Sequence, residues 1–151
     1  MRLSQKDFED ILADNSKTIQ GDLVWAERER GGFMFKTQLQ SKSSCYELVV
    51  GGTYIHLKKT LSYYIVCLPL GRIYALDLGQ DHKNPDGTYT GEKHKHRWSE
   101  TYKDKEAYVP SDITALVTEP VKVWQEFCIE ANIRHNGTMQ PIPEQEFDLF
   151  Q

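Results

Sequence analysis

The sequence predicts an α+β fold: a mostly antiparallel, curved sheet of about six or seven strands, with one main C-terminal helix packed on it and a short N-terminal helix. Three observations carry this. Successive short runs through the middle of the chain alternate apolar and polar residues with period two. Turns bearing glycine or proline separate most of the runs, as in an antiparallel meander. A single apolar stripe at helical spacing, Val121, Trp124, Phe127, Cys128 and Ala131, stands near the C-terminus.

In chain order, Ser4 and Asp7 form an N-cap with an acidic first turn, and Leu3 and Phe8 occupy the positions of a hydrophobic staple. Phe8, Ile11 and Leu12 then share one helical face until Asp14-Asn15-Ser16 ends the pattern. From Thr18 the period changes to two: Ile19, Gly21, Leu23 and Trp25 fall on one side, and a partner strand from Phe33 to Leu39 follows Gly31-Gly32. Runs at Cys45–Val50, Tyr54–Lys58, Ser62–Leu68 and Arg72–Leu78 continue the series, with Gly51-Gly52 read as one of the turns. Lys93 to Trp98 is a further strand candidate, and Ser111-Asp112 caps a short helical turn through Leu116. Pro120 suits the first turn of the main helix, which runs to Ile133. Beyond it, Asn136-Gly137, Pro141 and Pro143 read as a linker, so residues 1–135 form one domain and 136–151 a linker and tail.

With 151 residues, the chain is long enough to bury roughly two thirds of its unfolded surface in one core, so disulfides are not required. Its longest strongly apolar stretch, Tyr63 to Leu68, falls well short of the ~20 residues needed to cross a bilayer. No signal-peptide pattern opens the sequence, and Cys45, Cys67 and Cys128 are odd in number with no C-x-x-C pair, which points to free thiols and a cytoplasmic protein. A net charge of −4 argues against broad charge-driven nucleic-acid binding.

The segment from Asp77 to Trp98 concentrates three of the five histidines. On an extended Lys93–Trp98, His94 and His96 project from the same face, and the turn at Asn84-Pro85-Asp86-Gly87 brings His82 back toward them. Two adjacent imidazoles can divide the general-base and general-acid roles of phosphodiester cleavage, as in a small ribonuclease-like enzyme with His82, Lys95 or Arg97 assisting. They can equally ligate a transition metal if His82, Asp81 or Asp77 completes the set. No standard zinc spacing or EF-hand loop is matched, so the sequence by itself assigns no metal and no cofactor. Lys93, Lys95, Arg97 and Trp98 also make a small basic-aromatic segment of the kind that binds single-stranded nucleic acid. Glu92, Glu100, Asp104 and Glu106 dilute it.

Two resemblances add to this reading. The block from Ile73 through Tyr108, with its Asp-Leu-Gly, His-Lys-Asn-Pro-Asp-Gly, His-Lys-His-Arg-Trp and Ala-Tyr-Val-Pro words, resembles small uncharacterised proteins of bacterial and phage-derived genomes. The terminal Gln145-Glu146-Phe147-Asp148-Leu149-Phe150 is similar to the peptide by which bacterial replication and repair proteins bind the DNA sliding clamp. The match lies at Gln145, Phe147, Leu149 and Phe150, with Phe147 where leucine or methionine is usual. Together they imply an accessory protein of bacterial or phage DNA metabolism that engages its partner through the tail, and the ribonuclease-like enzyme is the alternative.

Overall fold

The protein is described by a computed structural model over residues 2–144. The elements are α1 (Gln5–Ala13), β1 (Lys17–Gln20), β2 (Ala26–Arg28), β3 (Gly32–Leu39), β4 (Glu47–Ile55), β5 (Thr60–Leu68), β6 (Gly71–Leu78), β7 (Lys93–Arg97), β8 (Ala107–Tyr108), α2 (Pro120–Ala131) and β9 (Ile133–Asn136). Strands β2 to β8 form one antiparallel sheet in sequence order, an open meander, while β1 and β9 pair in parallel as a separate ribbon. The fold is α+β, as the period-two runs and the single helical stripe imply.

Local chemistry explains the helix ends. Ser4 Oγ accepts from the Asp7 amide and Asp7 Oδ2 accepts from the Ser4 amide, each at 3.0 Å, so two free donors of α1 are satisfied reciprocally. At the other end the fully buried Lys17 ammonium donates to the carbonyls of Ile11, Leu12 and Asp14 at 2.6, 2.9 and 2.6 Å. A cation thus meets the negative end of the helix and its unpaired carbonyls at once. Helix α2 starts with Pro120 and ends at Ala131, capped by Asn132, which adopts the left-handed conformation (φ 54°) and donates its side-chain amide to Leu12 O.

α2 lies on an aromatic face of the sheet. Trp124 stands edge-on to Phe35 and Tyr63, with ring centroids 5.6 and 5.1 Å apart, and Phe127 stacks on Tyr74 at 5.3 Å. Because side chains alternate along strands, Ser62 and Asp77, next in sequence to Tyr63 and to Leu76, project from the opposite face.

Three segments differ from the expectation. Gly51-Gly52 is not a turn: β4 runs straight through it, and the glycines clear space for rings. A Cβ at Gly52 would come within 2.5 Å of the Phe35 ring, and one at Gly51 within 2.6 Å of Tyr64. Thr18 to Trp25 is not one strand paired with β3 either, since β1 ends before Gly21 (φ 92°) and pairs along its length with β9. The Ser111–Leu116 segment forms bends rather than a helical turn. Past Ile133, β9 reaches Asn136 and Met139 is buried against the Tyr63 hydroxyl, so packing continues into the region whose composition reads as a linker.

Cys67 is buried and Cys45 exposed. Burial pushes the Cys67 and Cys128 thiols up to about 11 and about 12 respectively, which removes both as thiolate nucleophiles at neutral pH. Among the described residues no helix is long and apolar enough to cross a membrane.

Candidate functional site

Strand register assembles the site. Ser62 of β5 lies opposite Asp77 of β6, and Asp77 lies opposite His94 of β7, while His96 faces Ala75 one pleat further on. Asp77, His94 and His96 therefore project together from the face turned away from α2, and all three are buried. Between β6 and β7 the chain makes a long excursion that carries His82 back over them. Gly79 N–H bonds Glu92 O at 2.7 Å and closes the excursion at its base. Asp81 Oδ1 accepts from the amides of His82 and Gly91, both at 2.7 Å, and the Asn84 side-chain amide pairs with both backbone groups of Ala107 in β8.

The three imidazoles converge. Their ring centroids lie 4.6 to 5.5 Å apart, and one nitrogen from each falls within 4.8 Å of the others. Each ring is also held from outside by a backbone carbonyl. His96 Nδ1 meets Asp104 O at 2.7 Å, His82 Nε2 meets Lys105 O at 2.6 Å and His94 Nδ1 meets Gly91 O at 3.3 Å. A carbonyl only accepts, so each of those nitrogens carries the hydrogen, leaving Nε2 of His94, Nε2 of His96 and Nδ1 of His82 for another partner.

Asp77 Oδ2 stands 3.1 Å from His94 Nε2 and 3.2 Å from His96 Nε2. Its other oxygen accepts from Ser62 Oγ at 2.5 Å, and Arg72 Nη1 lies 4.0 Å from Oδ2. Burial alone would raise the Asp77 pKa, but the hydrogen bonds from His94, His96 and Ser62 and the nearby guanidinium outweigh it and hold the carboxyl well below the usual range.

This geometry has a chemical consequence. Asp77 Oδ2 faces both Nε2 atoms at hydrogen-bond distance in a buried site, so one carboxylate oxygen and two imidazole nitrogens, all metal-ligating types, converge there. A metal ion, were one held here, would take the two Nε2 atoms as ligands and would use the outer carbonyl bonds as they stand, because metal-bound histidines characteristically donate their other N–H to a carbonyl or carboxylate.

The chain belongs to a family of unknown function, DUF6978. The family model matches residues 3–133, a span that contains every residue of the histidine cluster and ends before Gln145. No curated protein and no solved structure matches the chain.

In this DUF6978 chain the basic-aromatic segment divides between the two faces of the sheet. Lys95 is turned away from the histidines and has no exposed surface. Its ammonium bonds Asp112 Oδ2 at 2.6 Å and Glu130 Oε1 at 3.1 Å. Lys93 donates to Ile113 O, Arg97 is exposed beside the Phe8 ring, and Trp98 is buried against Phe8. Gln145, Phe147, Leu149 and Phe150 lie outside the described residues. Sequence reasoning did not single out Ser62, Arg72 or the Asp104 carbonyl, because their roles arise from register and loop closure and have no local motif.

Proposed function

We propose that the domain is a metalloprotein whose working centre is a divalent transition-metal ion held by His82, His94 and His96, with Asp77 as the carboxylate of the set. The observation that supports it is the orientation of the rings: each has one nitrogen fixed by a backbone carbonyl and the other left for a shared partner. Imidazole and carboxylate donors suit zinc, iron and their neighbours. The 3.1 and 3.2 Å spacings from Asp77 to the two Nε2 atoms are near the ~3.3 Å between donors in a tetrahedral shell with bonds of about 2.0 Å. The three histidine donor atoms all lie within 4.8 Å of one another, so the set contracts by at most about 1.5 Å to reach that shell, and His82 is half-buried on a loop that can supply the movement.

The test is titration of chelator-treated protein with Co2+, followed by visible absorption and calorimetry and by displacement with Zn2+. One ion per chain is expected, with the spectrum lost in His94→Ala and His96→Ala and weakened in His82→Ala. Absence of a stoichiometric complex in the unaltered protein would end the metal reading. RNA cleavage that persists in chelator and disappears with His94→Ala would then favour the ribonuclease-like alternative, in which the same imidazoles act as acid and base.

A second reading concerns the tail. The pattern Gln145, Phe147, Leu149, Phe150 supports docking on a bacterial sliding clamp, through an anchoring amide and apolar side chains entering a preformed pocket, in a protein of bacterial or phage DNA metabolism. A synthetic peptide of residues 144–151 is expected to bind the clamp with micromolar affinity, about 8 kcal/mol. Equal binding by the peptide with Leu149 and Phe150 replaced by alanine would show the resemblance to be chance.

A further inference from the structure

Four donors, His82, His94, His96 and Asp77, fill a tetrahedral shell, whereas an ion that acts on a substrate keeps one position open for water. His94, His96 and Asp77 are also buried. The neighbouring cavity of about 510 Å3 is lined by Arg72, Trp98, Lys103 and Asp104 among others, and its lining among the described residues includes none of the four donors. A molecule in that cavity meets Arg72 and Asp104 and stays outside the shell.

The same donors gather two segments that the core does not hold. Every residue at 79–92 and at 99–106 is half-buried or exposed, so neither segment is fixed by sinking an apolar side chain into the core. Both segments meet at the histidines. His82 belongs to the first, and its Nε2–H donates to Lys105 O of the second at 2.6 Å. On β7, His96 holds Asp104 O of the second segment at 2.7 Å, and His94 holds Gly91 O of the first at 3.3 Å. Whatever fixes the three rings therefore fixes both segments through their carbonyls. An ion supplies locally what apolar burial supplies elsewhere, as in small domains whose order depends on a bound metal.

We propose that the ion is a structural clasp with a filled four-coordinate shell, which fastens residues 79–92 and 99–106 onto β6 and β7 and takes no substrate. The inference rests on the metal reading and gives that ion its role. Order in the two exposed segments follows metal occupancy. The aromatic core between α2 and the sheet, built on Trp124, Tyr63 and Phe127, stands without the ion because it lies on the opposite face.

Two measurements on the full chain test this. Azide is added to the Co2+-loaded protein, because an anion that enters the shell alters the visible spectrum. The spectrum of the unaltered chain is expected to stay as it is, and that of His82→Ala, in which one position is vacated, to change. Hydrogen exchange is then followed with and without Zn2+ at the amides of Asn84, Thr90 and Lys105, which are hydrogen-bonded within the two segments. In metal-free protein these amides are expected to exchange while those of β4 and β5 stay protected. With free Zn2+ at about 100 times its Kd, opening that releases the ion is suppressed about hundredfold, and the three amides are expected to slow by up to that factor. An azide response in the unaltered chain reveals an open position and overturns the filled shell. Stoichiometric metal uptake with unchanged exchange at all three amides overturns the clasp and leaves the metal reading standing. Failure of Co2+ to bind sinks the metal reading itself.

Discussion

Lys95 has no exposed surface yet carries a charge, and the residues around it show how the protein tolerates that. Its ammonium is shared by Asp112 and Glu130, and Glu130 Oε1 also accepts from the hydroxyls of Tyr74 and Tyr108 at 2.5 and 2.9 Å. One α2 carboxylate therefore ties β6, β7 and β8 to the helix. Burial raises the Glu130 pKa, but the bonds from Tyr74, Lys95 and Tyr108 prevail and keep it lowered. Glu130→Ala is expected to cost about 3–5 kcal/mol, because it leaves a buried cation short of its partner and orphans two hydroxyls. Chemical denaturation measures this directly, and a loss below about 1 kcal/mol would mean that Asp112 and water suffice. Alternation along β7 is legible in the sequence and puts His94 and His96 on one face, but the expectation that Lys95 assists them fails, because the same alternation turns Lys95 to the other face, onto Asp112 and Glu130. The sequence cannot say which face the helix covers, and that decides whether a lysine on the strand meets solvent or the core.

The elements that build the histidine site are a hairpin and its long connection. Antiparallel pairing of β6 with β7 places Asp77 beside His94, so the carboxylate and the paired imidazoles need only the correct register. His82 depends on the excursion between the strands, which leaves β6 at Gly79. That residue has φ 93°, and a Cβ there would come within 2.3 Å of Lys59 O. Gly79→Ala is thus opposed by both conformation and contact with rigid backbone, and should destabilise the domain by about 2 kcal/mol or more. It should also move His82 and weaken Co2+ binding more than His94 or His96 geometry alone would. A Gly79→Ala protein with an unchanged thermal midpoint and metal affinity would show that the connection can shift without consequence. Sequence reading finds this connection through Asn84-Pro85-Asp86-Gly87, whose turn is closed by Gly87 N–H to Asn84 O at 2.8 Å. The same logic fails at Gly51-Gly52, because glycine serves ring packing inside a strand as readily as it serves a turn.

At the scale of the whole molecule, stability against acid depends on carboxylates that hold together elements far apart in sequence. Asp14 closes α1 onto the segment after β3: burial pushes its pKa up, but hydrogen bonds from Ser41, Ser16 and Ser43 outweigh this and hold it at about 2, against an ordinary 3.8. Glu130 ties α2 to the sheet and is also lowered from its ordinary 4.5. A carboxylate whose folded pKa lies below its unfolded value contributes stability that is present above the unfolded pKa and is lost as pH falls through the folded one. For metal-free protein the thermal midpoint should therefore stay level from about pH 7 to about pH 5, then fall steadily between about pH 4 and pH 2. Asp14→Asn should lower the midpoint near neutral pH and flatten part of the acid decline, since the residue that titrates there is gone. If midpoints hold constant down to pH 2, or if Asp14→Asn follows the same acid curve as the unaltered chain, the serine cluster does not supply the acid-sensitive tie, and the decline must be assigned to other carboxylates.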